Sequence, residues 1–192
     1  AGPLGVRRFS NADLPDDPLA EPFIPHAYIK LDDDGTVTIV CHRSEMGQGS
    51  RTGLAQLVAE ELDCDWSKVT TENPTPGQNT ARKRVWGDYA TVGSRAIRQS
   101  HQYVRQGGAA AREMLKQAAA NEWKVPASEC KAANSVITHT PSGKKTTYGK
   151  VAAAAARLEP PKDVKLKDPK EWKVIGKPLK RLDTADKVTG KQ

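Results

Sequence analysis

Apolar and polar side chains alternate through Ala27-Tyr28-Ile29-Lys30-Leu31, and Asp32-Asp33-Asp34-Gly35 then supplies turn chemistry. The alternation resumes from Thr36 to Cys41, so a β-hairpin is predicted. Beyond it the period changes. Leu54, Leu57, Val58 and Leu62 recur at helical spacing, with Ala55 and Ala59 on the same face, which predicts an amphipathic helix over about 51–62. Asp63 to Lys68 turns the chain into a short strand around Val69 to Glu72, completing a ββαβ unit with its helix laid on a sheet. Residues 73–93 are rich in Pro, Gly, Asn and Thr and read as a long loop, which Val85, Trp86 and Tyr89 make one that packs on something.

A second helix is predicted from Ser94 or Arg95 to Trp123, with Ile97, Val104, Ala111, Met114, Leu115 and Ala118 on one side. Gly107-Gly108 sits in its middle, at about 1 kcal/mol each relative to alanine, so a close backbone approach or a local kink is expected there. After Val125-Pro126 a second hairpin spans Cys130 to Ala133 and Val136 to Thr140. It turns at Pro141-Ser142-Gly143 into Lys145 to Tyr148. An alanine-rich helix from Gly149 to Leu158 follows, with Thr147 as its expected cap. The fold class is α+β. Five prolines among acids and glycines make residues 1–25 an extended arm, 26–160 form the folded part, and 161–192 read as a basic linker with Trp172, Val174 and Ile175 as apolar anchors.

No stretch approaches the roughly 18–20 apolar residues of a membrane span. The formal charge of +7 invites a nucleic-acid reading, but residues 162–192 carry ten basic and five acidic side chains and so hold most of that excess. Cys41, Cys64 and Cys130 form no CxxC pair and are read as mostly buried thiols, and the four histidines show neither HExxH nor i, i+4 pairing and are read as structural or surface residues. Glu60-Glu61 is expected on a solvated helix exterior. Arg7-Arg8-Phe9 has the look of a twin-arginine signal, but Asp13, Asp16 and Asp17 stand where its apolar region belongs.

Two segments carry candidate chemistry. In Glu45-Met46-Gly47-Gln48-Gly49-Ser50, glycines flank a glutamine between a strand end and a helix start. The glycines let backbone approach a ligand, the amide offers one acceptor and two donors, and the helix mouth favours an anionic or oxo-bearing group. A Gly-x-Gly ahead of a helix is also what an ordinary loop looks like, and no Lys-Ser or Lys-Thr follows to make a P-loop. Gly93-Ser94-Arg95 repeats the arrangement at the second helix and suits a phosphate held by backbone N–H, hydroxyl and guanidinium, or a plain serine cap.

Taken in order, Pro25 to Ile29, Asp34 to Ile39, Ser44 to Gly49, Val58 to Leu62, Gly93 to Arg98, Gly108 to Leu115 and Ile175 to Thr184 resemble one family. This is the N-terminal part of the molybdopterin-binding large subunit of xanthine oxidase family molybdenum hydroxylases, in the branch of isoquinoline 1-oxidoreductase β-subunits and aldehyde dehydrogenases. The resemblance spans about residues 22–190. It implies that 26–160 is part of a molybdopterin-binding domain. It also implies a molybdenum–pterin cofactor, as the cytosine dinucleotide in bacteria, that oxidises aldehydes or N-heterocycles with oxygen from water. Gln48 matches the family glutamine that hydrogen-bonds an oxo ligand of molybdenum, Gly47 and Gly49 shape its loop, and Gly93, Ser94 and Arg95 match a stretch near the pterin and its phosphates.

The resemblance also sets expectations for partners. The family's general base is a glutamate near the C-terminus of a subunit several times longer, with no counterpart here, so the chain is expected to be inactive alone. It would be one piece of a split or cleaved large subunit, or a shortened form of it. The remainder of that subunit, a small subunit holding 2Fe–2S clusters and a cytochrome are the partners implied. Relatives commonly follow a twin-arginine leader, which implies a periplasmic location, with the cytoplasm as the alternative. Two other readings are a basic nucleic-acid-binding module and a purely structural subunit that stabilises a partner without touching cofactor.

Overall fold

The computed structural model describes residues 23–191. The first sheet orders its strands β1 (Phe23–His26), β2 (Ile29–Leu31), β3 (Val37–Val40) and β4 (Val69–Glu72). The first two pairings are antiparallel, and β3 pairs parallel with β4 in the register Val37↔Val69. A parallel pair needs a crossover, and α1 (Ser50–Leu62) provides it. The second sheet is an antiparallel meander of β5 (Cys130–Ala133), β6 (Val136–His139) and β7 (Lys145–Thr147). Its first turn places Asn134 and Ser135 at φ 52° and 60°, as a two-residue hairpin loop of type I′ requires.

Both hairpins, the first crossover helix and its strand thus stand where periodicity and turn chemistry predict them. Most of the arm expected over 1–25 lies outside the described residues, but Phe23–His26 already pairs with β2. Among the described residues β1 is an edge strand, which is where a sheet admits a proline such as Pro25.

The 73–93 segment holds a short helix, α2 (Pro76–Ala81), started by a Thr75–Gln78 capping box with Pro76 in its first turn. Its expected packing is real: Trp86 is buried and its Nε1 donates to Ala27 O at 2.9 Å. The single helix expected to reach Trp123 is two, α3 (Arg95–Arg98) and α4 (His101–Trp123). Fully buried Ser100 stands at the break, its Oγ accepting from Arg43 Nε at 3.1 Å and Tyr103 Oη at 2.7 Å. The last hairpin leads into α5 (Tyr148–Ala156), where Thr147 occupies the cap position without a side-chain cap hydrogen bond.

α4 packs along α1 and touches both sheets. Gly108 makes this approach possible, because a Cβ there would lie 2.5 Å from Val58 O and 3.0 Å from Glu61 Cβ. The expected close backbone approach is therefore what the glycine serves. The core gathers Ile29, Leu31, Val37 and Ile39 from the first sheet, Leu54 and Leu62 from α1, Leu115 from α4, and Ile137 and Tyr148 beyond.

α1 is not amphipathic in the assembled chain, since none of its residues is exposed. The 161–192 segment explains this, because it runs back along the helix and covers its outer face. Glu60 and Glu61, expected in solvent, are 1% and 0% exposed. Glu60 Oε2 accepts from the consecutive backbone N–H groups of Lys173, Val174 and Ile175, and Lys167 Nζ reaches Glu60 Oε1 and Asp63 Oδ1. Glu61 takes Arg105, whose guanidinium lies over the Trp172 ring at 5.2 Å. The strap continues through Pro169–Glu171 to a last short helix, α6 (Thr184–Val188).

Candidate cofactor site

The loop from β3 to α1 owes its shape to one carboxylate. Glu45 Oε1 accepts from Gly47 N at 2.8 Å and Gly49 N at 2.9 Å, while Oε2 accepts from Arg51 N at 2.9 Å. Gly47 and Gly49 hold φ of 102° and 85°, a region that L side chains rarely enter. Burial opposes the charge on Glu45, but these N–H groups and nearby Arg181 outweigh it and hold its carboxyl below the ordinary value. The helix mouth expected to receive an external anion is therefore satisfied in part by the protein's own acid, which no local pattern in the sequence announces.

Gln48 stands exposed at the crest of this loop. Its Oε1 accepts from Met46 N at 2.5 Å, and its Nε2 lies within 2.9 Å of Ser44 O, 2.7 Å of Ser50 Oγ and 3.2 Å of Thr91 Oγ1. Two hydrogens thus face three acceptors, so one partner always goes without. When Ser50 and Thr91 accept from the amide, their own O–H groups remain to donate elsewhere.

The contact with Thr91 joins the two glycine segments, which are 43 residues apart. Gln48, Gly49 and Ser50 line one side of a groove of about 460 Å³, and Thr91, Gly93 and Ser94 line the other. Met46 and Val92, each 74% exposed, stand at its rim, and Ala96 and Ile97 add apolar wall. Gly93 and Ser94 are both left-handed, at φ 66° and 59°, and a Cβ on Gly47 or Gly93 would meet nothing within 4 Å. Five of the six residues singled out in the sequence therefore meet at this loop and groove. Arg95 turns away, its guanidinium on Asp88 Oδ2 at 2.7 Å and Gln99 Oε1 at 2.8 Å.

Behind the groove lies a buried polar knot. Arg43 Nη1 donates to Asp88 Oδ1 at 2.6 Å and Ala90 O at 2.9 Å, tying the end of β3 to the far loop. His42 Nε2 meets Tyr103 Oη at 2.7 Å, and its buried Nδ1 has no partner among the described residues. Tyr103 Oη also meets Ser100 Oγ at 2.7 Å, which links the imidazole to the break between α3 and α4. Burial and then the Arg43 charge push the His42 pKa down to about 3, which leaves the ring neutral. Burial pushes Cys41 and Cys64 up to about 12, so neither is a nucleophile or ready metal ligand at neutral pH.

Ser50, Thr91 and Ser94 bring three hydroxyls and Gln48 an amide to a groove with apolar walls, and Gly93 leaves room for close approach, which suits an oxygen-rich group. The family model for the molybdopterin cofactor-binding domain matches residues 9–190. The chain is 36% identical over 131 residues, 68% of its length, to the isoquinoline 1-oxidoreductase subunit beta of Brevundimonas diminuta. It is 32% identical over 183 residues, 92% of its length, to the membrane-bound aldehyde dehydrogenase (pyrroloquinoline-quinone) of Gluconacetobacter polyoxogenes. It spans 17% and 22% of those two relatives.

Among solved structures, quinoline 2-oxidoreductase from Pseudomonas putida 86 shares the fold over 72% of this chain and 17% of its own, at TM-score 0.50 and 19% identity. CO dehydrogenase from Oligotropha carboxidovorans does so over 73% and 18%, at TM-score 0.50 and 22% identity. The chain belongs to the molybdopterin cofactor-binding domain family.

Proposed function

We propose that this chain supplies one wall of the cofactor site in a molybdenum oxidoreductase that hydroxylates aldehydes or N-heterocycles with oxygen drawn from water. The observation that carries the reading is the convergence of two glycine segments on one groove with Gln48 between them, in a chain of this family. The molybdenum–pterin group, as the cytosine dinucleotide form, supplies the redox and oxygen-transfer chemistry when bound. Gln48 would donate from Nε2 to an oxygen of that group by releasing Thr91, its longest contact. The hydroxyls of Thr91, Ser50 and Ser94 would add donors around the groove, and Gly93 leaves it open. The site is completed by the remainder of a longer subunit, with a 2Fe–2S small subunit and a cytochrome carrying electrons away in a periplasmic assembly.

Metal quantification and Gln48→Ala in the purified protein test this together. Molybdenum is expected in the wild type, with activity reduced about 10²-fold by loss of one donor at the reacting group. Absence of molybdenum, or activity within twofold of wild type in the variant, overturns the reading in favour of a structural subunit.

A further inference from the structure

Arg181 belongs to none of the elements that form the groove, yet it grips the loop that carries Gln48 from behind. Its Nη1 donates to Gly47 O at 2.7 Å, and its Nη2 lies 3.4 Å from Glu45 Oε1, the oxygen that also holds the N–H groups of Gly47 and Gly49. The guanidinium is itself held as a fork. Nε and Nη2 meet Asp183 Oδ1 and Oδ2 at 2.9 and 2.8 Å, and Asp183, 2% exposed, also takes Lys187 Nζ at 2.7 Å. Next to it, Leu182 N donates to Thr52 Oγ1 at 3.1 Å and pins the strap to the first turn of α1.

We propose that Arg181 is the positioning residue for Gln48, fixing the two peptide groups that flank Gly47: the carbonyl directly, the N–H through Glu45. The inference rests on the reading of Gln48 given above. Glycines at left-handed φ impose little shape of their own, so this loop holds its crest by side-chain ties, Glu45 from within and Arg181 from the strap. The tie needs a planar donor that serves Asp183, Gly47 O and Glu45 together, which a lysine ammonium on its flexible stem cannot do. Sequence separations of 134 and 136 residues make the strap part of the site's scaffold and not a linker.

Hydrogen exchange by mass spectrometry on the full protein tests the lock without recourse to turnover. In Arg181→Ala, backbone amides in 44–52 are expected to exchange about tenfold faster or more, while 54–62 stays within about twofold of wild type. Arg181→Lys should recover less than half of that protection, and Asp183→Asn, which keeps the guanidinium but loosens its fork, should fall between wild type and Arg181→Ala. In turnover, kcat should fall in Arg181→Ala with KM within about twofold, the pattern of a misplaced reacting-group contact. Exchange of 44–52 that matches wild type, or that rises only in step with the whole chain in all three variants, overturns the proposal. Molybdenum missing from the wild type would sink the reading of Gln48 and leave the exchange result standing, so the two failures are distinguishable.

Discussion

Arg105 donates to Glu61 Oε1 through both Nε, at 2.8 Å, and Nη2, at 2.6 Å, across the α1–α4 interface where the carboxylate has no exposure. The pair is fed from the strap as well, since Lys167 N approaches Glu61 and Lys167 O accepts from Arg105 Nη2. Removing one partner of such a pair leaves a buried charge uncompensated. Glu61→Ala is expected to destabilise the fold by about 3–5 kcal/mol, read by chemical denaturation. A loss below about 1 kcal/mol would show that Arg105 finds water instead.

Gly108→Ala probes the same interface through sterics. The new Cβ meets a backbone carbonyl, which cannot swing aside as a side chain would. The intrinsic helix preference favours alanine by about 1 kcal/mol, yet overpacking should win and lower stability by about 1–3 kcal/mol. An unchanged or raised melting temperature would contradict the contact with Val58.

His42 sets the pH dependence in mild acid. The folded ring takes a proton only near pH 3, whereas the unfolded chain takes it near 6.5. Below about 6.5 the unfolded state therefore binds more protons, and stability falls toward pH 3 with a slope of up to about 1.4 kcal/mol per pH unit from this group. His42→Phe should be less stable at pH 7, having lost the Tyr103 hydrogen bond, but should flatten that slope.

Glu60 acts at the acid end and with the opposite chemistry. Burial works against its charge, but the backbone N–H groups of Val174, Ile175 and Lys173, with Lys167, hold its carboxyl below the usual value of 4.5. Its contribution is present above that value and is lost as pH falls through the lower folded one. Exchange protection of residues 173–175 should fade there before that of α4, and Glu60→Gln should remove the pH dependence of this segment.

The surplus acceptor around Gln48 gives a milder test. Thr91→Val removes one of three acceptors from an amide with two hydrogens, so stability should change by no more than about 0.5 kcal/mol. A larger loss would mean that Thr91 is a fixed partner and not the one that gives way.

Local chemistry made much of this fold legible. The alternation around Lys30, the Asp-rich turn before Gly35 and the spacing of Leu54, Leu57, Val58 and Leu62 each act within a few residues, and the structure follows them. The Thr75-Pro76-Gly77-Gln78 start signal is equally local; its helix went unread amid surrounding glycine, asparagine and proline. Glu60 and Glu61 read as solvated helix surface because their partners are distant in sequence: Lys167 and 173–175 lie more than a hundred residues beyond Glu60, and Arg105 lies 44 beyond Glu61. The groove followed the same division. Gln48 and the glycines were visible, but Glu45 and Arg181 act by geometry that spacing does not encode.

The strap also dictates an order of events during synthesis. Glu60 emerges from the ribosome 113 residues before Lys173, so at roughly 5–20 residues per second the outer face of α1 waits on the order of ten seconds for its cover. Through that interval Glu60 has neither the Lys167 ammonium nor the backbone N–H groups of 173–175, so its carboxylate keeps its water until the strap arrives.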